Sequence, residues 1–303
     1  MDACGGFVNH RSSEGNPEYA RRRWGDTLRT IYVAQRNVDA YVALAEETGL
    51  TAQDCHAAAT LLVSRRKPEE ALSWMERGID IAGKAPHASA GDYDLVRLKR
   101  SLLDRLGRSG EALEDAWAEY RKHPNKYAYD ELMQFVPKAE RATWHRKAIE
   151  AAEDADLYSL IGLLLETGEM DRLADLVRRS ADGVLEQVSH YATEPATTKL
   201  EKRYPDAAAR LWRAQGIRIV QAKKSKYYDA ALSNFERALR CYNKAGLTAE
   251  WEKTVRRVRA EHHRKYGLMN GFEKLAAGFG PSDEPSFLER ARARWSKHKM
   301  NDR

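Results

Sequence analysis

Residues 91–122 read GDYDLVRLKRSLLDRLGRSGEALEDAWAEYRK, and this stretch decides the fold. In 91–107 the apolar positions Leu95, Leu98, Leu102, Leu103 and Leu106 fall three and four apart and make one helical stripe, with Asp92 and Asp94 near the start and Gly107 as the stop. In 110–122, Ala112, Leu113, Ala116, Trp117 and Tyr120 form a second stripe, which Pro124 ends. Two amphipathic helices joined by GRSG predict an antiparallel helical hairpin.

The pattern recurs along the chain. RKPEEALSWMERG (66–78), GRSGEALEDAWAEY (107–120), GEMDRLADLVRRS (168–180) and, more loosely, KYYDAALSNFERAL (226–239) each combine a turn with a second helix. Ala71, Ala112, Leu173 and Ala231 hold equivalent places, and Met75, Ala116, Val177 and Phe235 follow four residues later. A small residue admits a neighbouring helix and the residue one turn on fills the groove beside it. The intervals of 41, 61 and 58 residues between those positions exclude a regular 34-residue array. The expected fold is therefore all-α: TPR-like helical hairpins stacked as an α-α superhelix, a solenoid, with about fourteen helices in 17–266. Breaks are expected near Gly49, Lys67-Pro68, 84–91, 107–110, 122–125, Val136-Pro137, Gly168, Gly183, Pro195, Pro205, Gly216 or 223–226, and Gly246.

The expected organisation is a helical-repeat solenoid over 1–266 and a Gly/Pro-containing segment over 267–303. That last segment has a short helical piece, FEKLAA, and a basic capping helix, PSFLERARARWSKHK, in which Phe287, Leu288, Ala291 and Trp295 face the repeats.

Composition bounds the function. Hydrophobic residues are 43% and charged residues 32%, which suits water-facing helices over an apolar seam. The longest apolar run, Leu160 to Leu165, is too short to span a bilayer, and the N-terminus lacks a basic region followed by an apolar one, so neither membrane insertion nor secretion is expected. Cys4, Cys55 and Cys241 lie far apart with no zinc-site spacing, which fits a reduced, cytoplasmic setting.

Motifs of catalysis are missing: no GxGxxG after a strand, no GxxxxGK[ST], no HExxH and no GxSxG. His262 and His263 are adjacent, about 100° apart on a helix, and cannot share a metal as an i, i+4 pair does. His262 is expected to pack with Trp251, Val255 and Val258. Glu150, Glu153, Asp154 and Asp156 cluster at a helix end, where acidic residues cap and solvate. No cofactor, metal site or enzyme activity is expected. Trp24, Trp74, Trp117, Trp144, Trp212, Trp251 and Trp295 are expected mostly in inter-helix packing.

The positive signal is charge. Residues 1–198 hold 26 Lys+Arg against 33 Asp+Glu, whereas 199–303 hold 25 against 12. The front is thus −7 and the back +13, which points to an anionic partner near one end or to head-to-tail self-association. The candidate contacts are Lys223, Lys224 and Lys226, beside Tyr227 and Tyr228, together with Lys253, Arg256, Arg257, Arg259, Arg264 and Lys265 on and after the helix that begins near residue 248. They are either a solvated face that pairs with in-chain glutamates or a surface for nucleic acid or an acidic protein.

The segments GRSGEALEDAWAEYRKHPNKYAYDELMQF, KLEKRYPDAAARLW, KSKYYDAALSNFERAL and VRAEHHRKYGLMNGFEKL together resemble the helical-repeat region found after the zinc finger in bacterial SWIM-type zinc-finger proteins and in related uncharacterised helical proteins. The resemblance covers about 60–298. It implies a helical fold and an association with nucleic-acid-linked proteins. A SWIM finger needs a CxC pair and a later CxH, and the chain has neither, so the family's metal site does not carry over. On this reading the function expected first is a non-enzymatic protein–protein interaction scaffold that lays a peptide or helix along its groove. The alternative is nucleic-acid binding through 199–303.

Overall fold

A computed structural model describes residues 17–84 and 90–278. Among these residues there are sixteen α-helices and no strand. Cys4 and the expected capping helix with Phe287, Leu288, Ala291 and Trp295 lie outside the described residues. The chain divides into two compact units, one of residues 1–119 with 134–137 and the other of 120–133 with 138–303.

The first unit is built from α1 (Pro17–Ala34), α2 (Val38–Thr48), α3 (Ala52–Ser64), α4 (Pro68–Gly83), α5 (Ala90–Arg105) and most of α6 (Ser109–Lys122). Its core joins Tyr41, Ala59, Leu62, Ala71, Leu72, Met75, Leu95, Leu102, Leu103 and Ala112. The helices α3 and α4 come close because Gly78 has no side chain; a Cβ there would lie 2.8 Å from that of Cys55. Asp54 fixes the start of α3 through a capping box with Thr51, and it also accepts hydrogen bonds from Arg29 Nε at 2.8 Å and Tyr41 Oη at 3.0 Å. Burial alone would raise its carboxyl pKa, but these donors hold it below the usual aspartate value.

The second unit contains most of α7 (Lys126–Phe135), then α8 (Arg141–Ala151), α9 (Leu157–Glu166), α10 (Met170–Arg179), α11 (Asp182–Gln187), α12 (His190–Leu200), α13 (Pro205–Gln221), α14 (Tyr228–Ala245), α15 (Thr248–His262) and α16 (Tyr266–Ala276). Its centre is α13, which packs on α10, α11, α12, α14 and α15. Pro205 starts α13 at a position where a missing N–H costs nothing. Asp182 ties α11 to α13 by accepting from Arg210 and Arg213, each at 2.7 Å.

One turn recurs five times. Arg36, Arg66, Gly107, Gly168 and Gly246 adopt the left-handed conformation, with φ of 53, 59, 77, 77 and 71°. In each case the next residue's N–H reaches the carbonyl five residues back: Asn37 to Tyr32, Lys67 to Leu62, Arg108 to Leu103, Glu169 to Leu164 and Leu247 to Tyr242, all at 2.8–3.0 Å. This is the Schellman closure of a helix end. The next helix begins two residues after the left-handed one. The residue five places after it, Tyr41, Ala71, Ala112, Leu173 or Trp251, is buried. All eight positions paired by the sequence pattern, from Ala71 and Met75 to Ala231 and Phe235, are buried too. The copy at 226–239 departs from the others in its entry, where Lys223 at φ 56° is followed by a 3-10 turn over Ser225–Tyr227.

The break expected near Gly183 falls at 180–181, between α10 and α11, and α11 runs through the glycine itself. The break expected at Pro195 is not a break. Helix α12 passes through Pro195, whose lost hydrogen bond would have gone to Tyr191, in an exposed first turn that water can satisfy. Of the two places offered for the next break the chain reverses at the second, 223–226, while Gly216 sits mid-way along α13, where its missing Cβ leaves room for the Phe235 ring of α14. The helix expected at FEKLAA starts earlier, at Tyr266, because Leu268, Met269, Phe272 and Leu275 make one buried stripe. Phe272 meets Phe235 edge-on at 5.1 Å and Trp251 at 5.9 Å.

Candidate anion-binding patch

Helix α15 begins after the turn at Gly246 and buries Trp251, Thr254, Val255, Val258 and His262, as the stripe predicts for all but Thr254. Its polar face is largely occupied within the chain. Arg257 grips buried Glu186 of α11 with both guanidinium nitrogens, at 2.5 and 3.0 Å, and also reaches Glu261 at 2.9 Å. Arg259 holds Glu273 of α16 the same way, at 3.0 and 2.6 Å. These carboxylates hold both guanidinium pKa values above the usual arginine range. Lys253 pairs with Glu250 at 2.6 Å, and Arg256 lies 3.9 Å from Glu252. Four of the nine sequence candidates thus already have in-chain carboxylate partners.

The other five lie on two segments that adjoin. Lys223, Lys224 and Lys226 lie on the exposed reversal between α13 and α14, and Arg264 and Lys265 on the link between α15 and α16. The two segments meet: Lys265 Nζ donates to the carbonyl of Val220 in the last turn of α13, and Gly267 lies against the Tyr228 ring, a Cβ there falling 3.8 Å from it. Burial and the nearby charge of Lys223 push the Lys265 ammonium below the usual lysine range. Among the described residues, Lys223, Lys224, Lys226, Arg264 and Lys265 have no carboxylate within ion-pair distance. Tyr227 is 46% exposed and Tyr266 75% exposed. Lys226 stands over one face of the Tyr227 ring at 4.9 Å.

Two other polar arrangements were invisible in the sequence. Tyr129 Oη lies 2.8 Å from His145 Nδ1, and His145 Nε2 lies 3.0 Å from Glu169 Oε1, so α7, α8 and the start of α10 are pinned by a hydroxyl–imidazole–carboxylate chain. Burial pushes the Tyr129 phenol pKa up. An open cleft of ≈ 500 Å³ lies between the links 121–125 and 151–159. Its Asn125 and Asp156 are spent as helix caps, accepting from Ala128 N at 3.1 Å and Ser159 N at 3.0 Å.

Among the described residues no group of three His, Cys, Asp or Glu side chains is placed to hold a metal ion, and no helix is long and apolar enough to cross a membrane. Cys55 and Cys241 are buried free thiols. Trp212 and Trp251 are buried, Trp74, Trp117 and Trp144 half-buried, and Trp24 is exposed.

The model of DUF6880, a family of unknown function, matches residues 8–270. The chain belongs to that family. The match takes in both units' described helices as far as the first half of α16, and with them Lys223, Lys224, Lys226, Arg264 and Lys265. No curated protein matches the chain.

Proposed function

We propose that this DUF6880 chain is a non-enzymatic interaction scaffold. In this reading its TPR-like hairpins stack as an α-α solenoid within each unit, and the frame presents a cationic patch to an anionic partner. The observation that carries the reading is the division of the basic residues: arginines of α15 are held by Glu186 and Glu273, while Lys223, Lys224, Lys226, Arg264 and Lys265 gather without carboxylates. The recurring Schellman turns support the scaffold half, since repeated hairpins are how helical-repeat proteins build extended surfaces. Clustered unpaired cations raise the association rate and local concentration of an anionic partner.

Lysine-directed cross-linking of the full chain in a cell extract, followed by mass spectrometry, tests this. Cross-links from Lys223, Lys224 and Lys226 to a partner are expected and should be lost at high salt, and cross-links from the chain's other lysines to that partner should be lost when the three are changed to glutamine and kept when they are changed to arginine. Partners cross-linked with equal yield to the glutamine variant would refute the assignment.

A further inference from the structure

The patch carries two features that point beyond charge. The first is the type of cation. On the neighbouring face the chain binds its own carboxylates across helices with arginine forks, as Arg257 does with Glu186 and Arg259 with Glu273. The patch is instead four lysines and one arginine. A lysine ammonium is a compact point charge on a flexible stem, which follows a run of phosphates without demanding a planar partner.

The second is the pair of phenol rings. Tyr227 precedes α14 and Tyr266 opens α16, and these helices pack on each other. Both helices return to the same end, as the contact of Gly267 with Tyr228 shows, so the chain positions that carry the two rings adjoin across one helix spacing, roughly 8–10 Å. Toward a carboxylate chain an exposed tyrosine offers one hydroxyl donor, as Tyr41 does to Asp54, and leaves its ring unused. To bases the ring offers a stacking surface, which adds sequence-tolerant affinity to the phosphate contacts.

Resting on the anionic-partner reading above, we propose that the patch of Lys223, Lys224, Lys226, Arg264 and Lys265 binds single-stranded nucleic acid, with Tyr227 and Tyr266 stacking on its bases. Duplex would keep its bases stacked on one another and engage the lysines alone. The protein then reads a strand by flexibility and charge, with little sequence preference.

The test is fluorescence anisotropy of the full chain with a labelled oligothymidylate of about 12 nucleotides. The companion probes are the same length of duplex and polyglutamate. With about 0.7 counterions released per phosphate contact on a single strand, five cations set a salt slope near −3.5. Tyr227→Ala and Tyr266→Ala should each weaken the oligonucleotide about ten-fold and leave the slope unchanged. Lys223→Gln with Lys224→Gln should flatten the slope by about 1.4. Lys265 is left intact because it also holds α13. All four changed residues are exposed, and an unchanged circular dichroism melt establishes that each variant is folded. Duplex binding as tight as single strand, or tyrosine variants that bind like wild type, would overturn the strand proposal. Polyglutamate binding that matches or exceeds oligonucleotide binding would overturn it too, yet leave the anionic-partner reading standing. Binding of none of the three probes would sink both.

Discussion

Replacing Gly216 with alanine puts a methyl group into a close helix contact of the second unit, between α13 and α14. The new Cβ would lie 2.9, 3.0 and 3.0 Å from three atoms of the Phe235 ring. That ring is fully buried and held edge-on by Phe272, so it has nowhere to move and α13 must part from α14. Overpacking costs about 1–3 kcal/mol in general, and a fully buried ring that cannot move aside puts this site in the upper part of that range, at about 2–3 kcal/mol. Alanine returns about 1 kcal/mol of helix propensity, so the net loss is about 1–2 kcal/mol. Gly162 in α9 is the control, because a Cβ there meets nothing within 4 Å. Gly162→Ala should gain up to about 1 kcal/mol, which separates the two variants by about 2–3 kcal/mol. Urea unfolding followed by circular dichroism measures both. A Gly216→Ala chain as stable as wild type would refute the close α13–α14 packing.

The recurring turn makes opposite predictions at glycine and arginine. At Gly168, φ 77° with open space around it, alanine should cost about 1 kcal/mol, whereas Arg66→Gly should be neutral or gain up to about 1 kcal/mol by removing left-handed strain, both read from urea midpoints. Glu186→Ala should destabilise the second unit by about 1–3 kcal/mol in the same assay, the loss being limited because Arg257 keeps Glu261. Burial, with Lys265 adding to it, pushes the His262 imidazole below its usual 6.5. The stability tied to its neutral form is therefore complete above pH 6.5 and lost as the pH falls below it, and His262→Leu should flatten that dependence in thermal melts from about pH 7 to 5.

Helix positions were legible because each hairpin carries its own local signals. Leu95, Leu102 and Leu103 form a stripe anyone can count, and Gly107, Gly168 and Gly246 advertise left-handed turns. Arg36 and Arg66 make the same turn without glycine, so the first copy, at 36–41, went unread. Residue type alone decides neither Gly216 nor Pro195: the glycine stays helical because a phenylalanine arrives from α14, and the proline is tolerated because it falls just after an exposed first turn. The candidate patch was legible as two basic segments only. Arg257 finds Glu186 from 71 residues away, and Lys265 reaches Val220 over 45. No local spacing encodes such pairs, so sequence could not separate the engaged arginines from the free lysines. The chain Tyr129–His145–Glu169 was missed for the same reason.

The central claim is that the loop lysines, not the basic face of α15, make the anionic contact. The most direct measurement is the salt slope of oligonucleotide binding for three chains: wild type, Lys223→Gln/Lys224→Gln/Lys226→Gln, and Arg256→Gln with Lys253→Gln. The account predicts that the triple lysine change flattens the slope by about 2 while the α15 change leaves it within about 0.3 of wild type. A slope that drops with the α15 pair and ignores the three lysines would contradict it.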